Sequence, residues 1–128
     1  MNLLLDTHAL LWFLDGNARL GSNARAAIED RAKTKFVSIA SLWEIVIKIS
    51  IGRLDSGAPF DSIFPRQLEV NGFSILHIQT SHFSTLSDLP FHHRDPFDRL
   101  LIAQCIAEGA VIVSTDVVFD SYGVSRLW

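Results

Sequence analysis

Four acidic residues stand where a parallel α/β fold would bring them together. Asp6 and Asp116 directly follow short apolar runs, whereas Glu44 and Asp98 lie near the starts of helical segments. Ligands of open parallel sheets bind beyond the carboxyl ends of the strands, so we expect the four side chains at one edge. Two carboxylates about 5 Å apart repel each other by roughly 3 kcal/mol at an effective dielectric near 20. Such a set needs a cation, and oxygen ligands alone suit magnesium or manganese, so the sequence predicts a metal-dependent active site.

Three segments offer the acids a purely structural role as helix caps. Asp is a favoured N-cap, and Asp6 and Asp116 each precede a potential helix. In the segment Asp95-Pro96-Phe97-Asp98, Asp95 suits the N-cap, Pro96 the first turn, and Asp98 the third position, where it would complement the helix dipole. We therefore assign capping to Asp95 and leave both roles open for the others.

Glu44 has two structural alternatives of its own. Ser41 and Glu44 have the spacing of a capping box, and Lys48 is placed four residues on, where it could form an ion pair with Glu44. The surrounding helix from Ala40 to Ile51 is apolar on most sides, which is typical of a buried helix. An acid on such a helix is either paired or faces a cleft.

Apolar runs and helical patterns alternate along the chain. Four strands and a weaker fifth are predicted at Asn2–Leu5, Phe36–Ser38, Phe73–Leu76, Val111–Ser114 and Val124–Leu127. Helices are predicted at Thr7–Leu14, Asn23–Lys33, Ala40–Ile51, Pro59–Asn71, Thr80–Ser87 and Pro96–Glu108. This alternation predicts right-handed crossovers and a three-layer α/β/α sandwich around a parallel sheet of four to five strands. We expect residues 1–128 to form one domain.

The composition is that of a globular protein. The 128 residues are 48% hydrophobic and 20% charged, with a net charge of −3, which argues against a broadly basic nucleic-acid-binding surface. The charge does not exclude nucleic-acid binding, however, because without the four acids 10 acidic residues remain against 11 lysines and arginines. The single cysteine, Cys105, lies in an apolar stretch and suits a small buried residue. No signal peptide or membrane-length apolar run is evident, so we expect a soluble cytoplasmic protein.

Four segments resemble the PIN-domain family, and within it the VapC-type toxins of bacterial toxin–antitoxin pairs. They are LLLDTHALLW, VSIASLWEIVIK, HHRDPFDRLLIAQCIAEG and VIVSTDVVFDSYGV. The resemblance implies a ribonuclease that depends on magnesium or manganese and whose acidic pocket is formed by Asp6, Glu44, Asp98 and Asp116. It also implies a dimer that a small antitoxin neutralises. Asp95 belongs to the same motif, and its share in metal binding stays open.

The metal would activate water and stabilise charge at a phosphodiester of RNA. We expect Asp6 and Asp98 to be direct ligands, and Glu44 and Asp116 to bind directly or through water. Cationic and aromatic contacts to RNA are expected from Lys48, Arg53, His92, His93, Arg94 and Arg99. Which RNA is cleaved does not follow from these residues.

Two other functions are compatible with a short α/β chain, and the residues disfavour both. One is an inactive domain of the same fold that binds RNA or protein; the complete set of acids disfavours it. The other is a receiver-like signalling domain, which needs an acid adjacent to Asp6 and a lysine near the last strand. Asp6 has no acidic neighbour, and no lysine follows Lys48.

Apolar surface predicts protein partners. The helix from Ala40 to Ile51 and the segment from Ala9 to Leu14 carry more apolar surface than a small domain readily buries. We therefore expect a symmetric homodimer, and an antitoxin helix in a groove beside the acidic pocket. An arginine of that antitoxin could pair with the carboxylates in place of the metal.

Overall fold

A parallel five-stranded sheet forms the centre of the computed structural model, which describes residues 1–128. The strands are β1 Asn2–Leu5, β2 Thr34–Ser38, β3 Phe73–Leu76, β4 Val111–Val113 and β5 Arg126–Leu127, and they lie in the order β3-β2-β1-β4-β5. The first strand is central, and its leucines therefore have no accessible surface, as expected for a strand covered on both faces.

Helices cover both faces of this sheet. They are α1 Thr7–Asp15, α2 Ser22–Glu29, α3 Ile39–Ser50, α4 Phe60–Ile63, α5 Arg66–Val70, α6 Thr80–Ser87 and α7 Pro96–Glu108, with a 3-10 helix at Val117–Tyr122. Successive side chains of a strand point to opposite faces, so Leu3 and Leu5 enter one core while Leu4 enters the other. Two cores on one sheet confirm the predicted three-layer sandwich. No helix is long and apolar enough to cross a membrane.

The strand order creates a crevice at the carboxyl end of β1. The chain winds from β1 to β2 and β3 on one side, and places β4 and β5 on the other, so the order reverses between β1 and β4. Ligands of open α/β sheets bind at such a switch point. Leu5 pairs with Val113, and the backbone N–H of Asp6 donates to the Val113 carbonyl at 3.1 Å. Asp6 therefore leaves the sheet directly at this crevice.

The predicted helix from Pro59 to Asn71 is wrong as a single element. The chain forms α4 and α5 instead, separated by Phe64 and Pro65, which are joined by a cis peptide bond. A residue before proline is biased away from helical angles, and Phe64 is extended, with φ −110° and ψ 140°. The proline therefore ends the helix that the apolar pattern alone would continue.

The other predicted elements are present, four of them with the predicted ends and the rest with shifted ends. The helix predicted from Asn23 to Lys33 stops at Glu29, because Asp30 is extended and accepts hydrogen bonds from the Ala32 backbone and Lys33 in a turn. The weaker fifth strand is confirmed as β5, parallel to β4, although it is only two residues long.

Candidate active site

Two of the predicted site acids also cap helices. Asp6 is the N-cap of α1 and accepts a hydrogen bond from the Ala9 backbone N–H at 2.8 Å. Asp116 caps the 3-10 helix and accepts from the Val118 N–H at 3.0 Å. Capping and placement in the crevice are thus compatible, because a helix that starts directly after a strand starts at the edge where ligands bind.

All four predicted site acids line one cavity of about 420 Å³ at this edge. Its walls are formed by Asp6, Thr7, His8, Trp12, Glu44, Asp95, Asp98, Thr115 and Asp116. Five of these nine residues are acids, and Trp12 is the one large apolar side chain. The cavity therefore presents mainly carboxylates to whatever enters it.

Glu44 is held at the cavity by one contact from a distant segment and one from its own helix. The Thr7 hydroxyl donates to Glu44 Oε1 at 2.5 Å, and Lys48 Nζ lies 3.4 Å from Oε2. The capping-box alternative is wrong: α3 begins one turn earlier, where Ser38 caps it, and the buried Ser41 hydroxyl has no hydrogen-bond partner. The ion pair with Lys48 is confirmed.

Asp98 enters the cavity from the first turn of α7. Asp95 caps this helix as predicted, accepting from the backbone N–H groups of Phe97 and Asp98 at 2.9 and 3.1 Å. The Asp98 side chain is largely buried, and its Oδ2 lies 3.3 Å from Nε2 of His93. Burial and, to a smaller extent, the charge of Asp95 raise the pKa of Asp98 to about 6, while the contact with His93 opposes the rise.

Burial also raises the pKa of Asp6, and the nearby charge of Glu44 adds to this effect. The Ser114 hydroxyl and the Ala9 N–H oppose the rise by hydrogen bonding to the carboxylate. A raised pKa means that the charged form is disfavoured by its surroundings. A cation in the cavity would favour that form, so the buried acids and the oxygen-only donor set suit magnesium or manganese.

As the side chains stand, no three of the His, Cys, Asp and Glu residues are close enough to hold one ion together. Lining a common cavity is a weaker condition than chelation. Carboxylates here are turned toward other partners: Glu44 toward Thr7 and Lys48, and Asp98 toward His93. The metal roles of Asp6, Glu44, Asp98 and Asp116 therefore stay predictions.

Two residues expected to contact RNA at the rim are instead engaged by other groups of the protein. Arg99 is buried, 5% exposed, and donates to the carbonyls of Pro90 and Leu89, with the Phe91 ring 3.9 Å from its guanidinium carbon. From the start of α7 it therefore has a structural role, holding the loop that precedes this helix. The two ring nitrogens of His93 are within hydrogen-bonding distance of Asp98 and Tyr122. The sequence patterns did not single out Tyr122.

A larger groove of about 750 Å³ adjoins the acidic cavity. Its apolar lining comes from α1, α3 and the segment around α4, and includes Leu11, Ile45, Ile63 and Phe64. His8 and Trp12 line both cavities. The groove therefore runs up to the acidic site, and Lys48, Arg53 and Asp55 place charges of both signs along it.

The chain belongs to the PIN domain family, because the model of that family matches residues 3–124. None of the curated proteins is significantly similar to it in sequence.

Solved structures share the fold over nearly the whole chain at low sequence identity. VapBC2 from Rickettsia felis, bound to a DNA fragment from its promoter, is 15% identical with a TM-score of 0.74, covering 98% of this chain and 97% of that one. VapBC-1 from nontypeable Haemophilus influenzae is 14% identical, with a TM-score of 0.67 and coverage of 98% and 96%. VapC20 from Mycobacterium tuberculosis, a sarcin-ricin loop cleaving toxin, is 12% identical, with a TM-score of 0.66 and coverage of 95% of both chains.

Proposed function

We propose that residues 1–128 act as one domain, a metal-dependent endoribonuclease that serves as the toxin of a toxin–antitoxin pair in the cytoplasm. The observation that carries the proposal is the carboxylate-lined cavity at the switch point of the sheet. Membership of the PIN domain family supports it, and so does the fold shared with VapBC proteins and with a toxin that cleaves the sarcin-ricin loop.

Each acid has a role that follows from its place in the cavity. A bound magnesium or manganese would supply an activated water and stabilise charge on the phosphate. Asp6 and Asp98 would hold the ion directly, and Asp116 directly or through water. Glu44 would orient the attacking water, since Thr7 fixes one of its oxygens and Lys48 the other. Lys48, which lines the groove and pairs with Glu44 of the acidic cavity, can also face a phosphate of the substrate.

Purified protein should cut RNA in millimolar manganese or magnesium and leave DNA of the same base sequence intact. Sequencing of the new ends would identify the cleavage site. Asp6→Asn, purified in parallel, serves as a control, because a contaminating nuclease would cleave equally in both preparations. Intact RNA after incubation of the wild type with either metal would contradict the proposed activity.

The exposed apolar side chains of α3 and the groove support the proposal of two protein partners, a second copy of the chain and an antitoxin. Trp43 and Val46 are 60% and 40% exposed and lie on one face of α3, and the Trp43 ring packs edge-on against Phe97, 5.3 Å away. We assign this face to a symmetric homodimer. The groove would take an apolar segment of the antitoxin, which could reach the carboxylates past His8 and Trp12, the residues common to both cavities.

Co-expression with the product of the neighbouring gene should give a complex whose nuclease activity is strongly reduced, as measured by RNA cleavage. The isolated protein should have the mass of a dimer in solution. Trp43→Glu should make it a monomer, because a charge cannot be buried in an apolar interface without a partner. Val70→Glu makes a similar change at an exposed apolar residue of α5 and should leave the dimer intact. A monomeric wild type, or activity unaffected by the neighbour, would refute the corresponding partner.

A further inference from the structure

We infer that Tyr122 and His93 orient the carboxylate of Asp98 through two consecutive hydrogen bonds and are positioning residues of the site. We call Asp98, His93 and Tyr122 the Asp98 triad. The effect on metal binding rests on the proposed function, whereas the hydrogen bonds themselves are present in the metal-free protein.

The triad joins two elements that are far apart in sequence. His93 lies in the loop before α7, and Tyr122 ends the 3-10 helix that Asp116 begins. His93 Nδ1 lies 2.7 Å from the Tyr122 hydroxyl, and His93 Nε2 lies 3.3 Å from Asp98 Oδ2. The segments that carry Asp98 and Asp116 are thereby linked on one side of the cavity.

The surroundings of the Tyr122 hydroxyl decide the direction of both hydrogen bonds. Three donors lie 3.2 Å from its oxygen: the backbone N–H groups of His92 and His93, and Nη1 of Arg99. A hydroxyl has only two lone pairs, so its oxygen is fully used as an acceptor. Its proton must therefore be donated, and His93 Nδ1 is the nearest acceptor, because the His93 carbonyl is 3.5 Å away.

This direction selects one tautomer of His93. If Nδ1 accepts a proton from Tyr122, the neutral ring carries its own proton on Nε2. That N–H then donates to Asp98 Oδ2, which fixes one carboxylate oxygen, while Oδ1 makes no hydrogen bond within the protein. Arg99 holds the arrangement in place, since the same buried guanidinium donates to Tyr122 and to the Pro90 carbonyl.

Partners of this kind set the orientation of a metal ligand, and their loss typically lowers metal affinity by about 10- to 100-fold. The Asp98 triad would act in this way: one oxygen of Asp98 is held and the other is left to face an ion. His93 itself does not touch the substrate or the ion, so its effect should appear in metal binding even where no RNA is present.

The first test uses the metal-free protein. Nitrogen-15 NMR of the histidine rings should show His93 with its proton on Nε2, and Tyr122→Phe should reduce the population of that tautomer. A His93 ring protonated on Nδ1, or one that exchanges freely between the two tautomers, would overturn the inference whether or not the protein is a nuclease.

The second test measures manganese affinity by calorimetry with two amide variants at position 93. His93→Gln keeps an amide near the Nε2 position and so keeps a donor to Asp98, whereas His93→Asn keeps only an acceptor for Tyr122. Asn should weaken manganese binding by about 10- to 100-fold, and Gln should stay close to the wild type. His77→Asn is the control, because His77 is exposed and makes no hydrogen bond or ion pair.

Thermal melting of each variant without metal separates misfolding from loss of orientation. Equal manganese affinity in folded His93→Asn and wild type would refute the positioning role. A wild type that binds neither manganese nor magnesium would refute the proposed metal site instead, and the tautomer of His93 would still decide whether the triad exists.

Discussion

Asp98→Asn and Asp6→Asn are expected to lower RNA cleavage at least about 100-fold, since even the loss of a residue behind a metal ligand costs about 10- to 100-fold. Both variants should nevertheless fold without metal as stably as the wild type or more so. Asn still caps α1 at position 6 and avoids a buried charge there, and at position 98 it removes the repulsion with Asp95. Cleavage assays and thermal melts of the same preparations would measure both effects.

The stability gain of Asp98→Asn should depend on pH. The pKa of Asp98 is about 6 in the folded protein against an ordinary value of 3.8, so the folded state holds this proton more tightly than the unfolded state does. The contribution of Asp98 to the free energy of unfolding of the metal-free wild type should therefore fall as pH rises from about 4 to about 6, and level off above that. The advantage of the Asn variant should be absent below this window and complete above it.

Two further substitutions separate the active-site role from a general effect of losing a carboxylate. Asp95→Asn should be milder, because Asn caps a helix nearly as well as Asp. Asp61→Asn, at an exposed acid of α4 outside the cavity, should change neither activity nor stability. If Asp6→Asn failed to fold, the carboxylate of Asp6 would be required by the fold itself and the active-site assignment would be lost.

Manganese or magnesium should raise the melting temperature of the wild type. A ligand that binds only the folded state stabilises it by about 2.7 kcal/mol at 100 times its dissociation constant. For a domain of this length, that corresponds to roughly 10 °C. The increase should disappear with a chelator and be much smaller in Asp98→Asn, because the variant lacks one of the carboxylates that would hold the ion.

Calcium provides a useful comparison in the same melts, because it is larger and takes more ligands than magnesium. A melting curve that none of the three ions or a chelator changes would count against a metal site. The acidic cavity would then need another occupant, such as a basic side chain of a protein partner.

Much of the fold follows from local patterns in the sequence. The run Leu3 to Leu5 is apolar at every position, which predicts a strand covered on both faces, and the structure places it at the centre of the sheet. Because parallel strands end at a common edge, the placement of Asp6 and Asp116 in one cavity could also be predicted. The N-cap at Asp95 follows from chemistry that involves only its immediate neighbours.

Other features depend on side chains that meet only in the folded protein. Thr7 and Glu44 are 37 residues apart, and His93 and Tyr122 are 29 apart, so no local periodicity could pair them with certainty. Arg99 is predicted at the RNA-binding rim because it is next to Asp98 in the sequence, yet its partners are backbone carbonyls of a loop whose path the sequence does not reveal. Sequence determined which acids reach the edge of the sheet, because strand ends and caps are set by nearby residues. Tertiary structure alone decided that Thr7 donates to Glu44 and that Tyr122 meets His93 behind Asp98, because these partners come from distant segments.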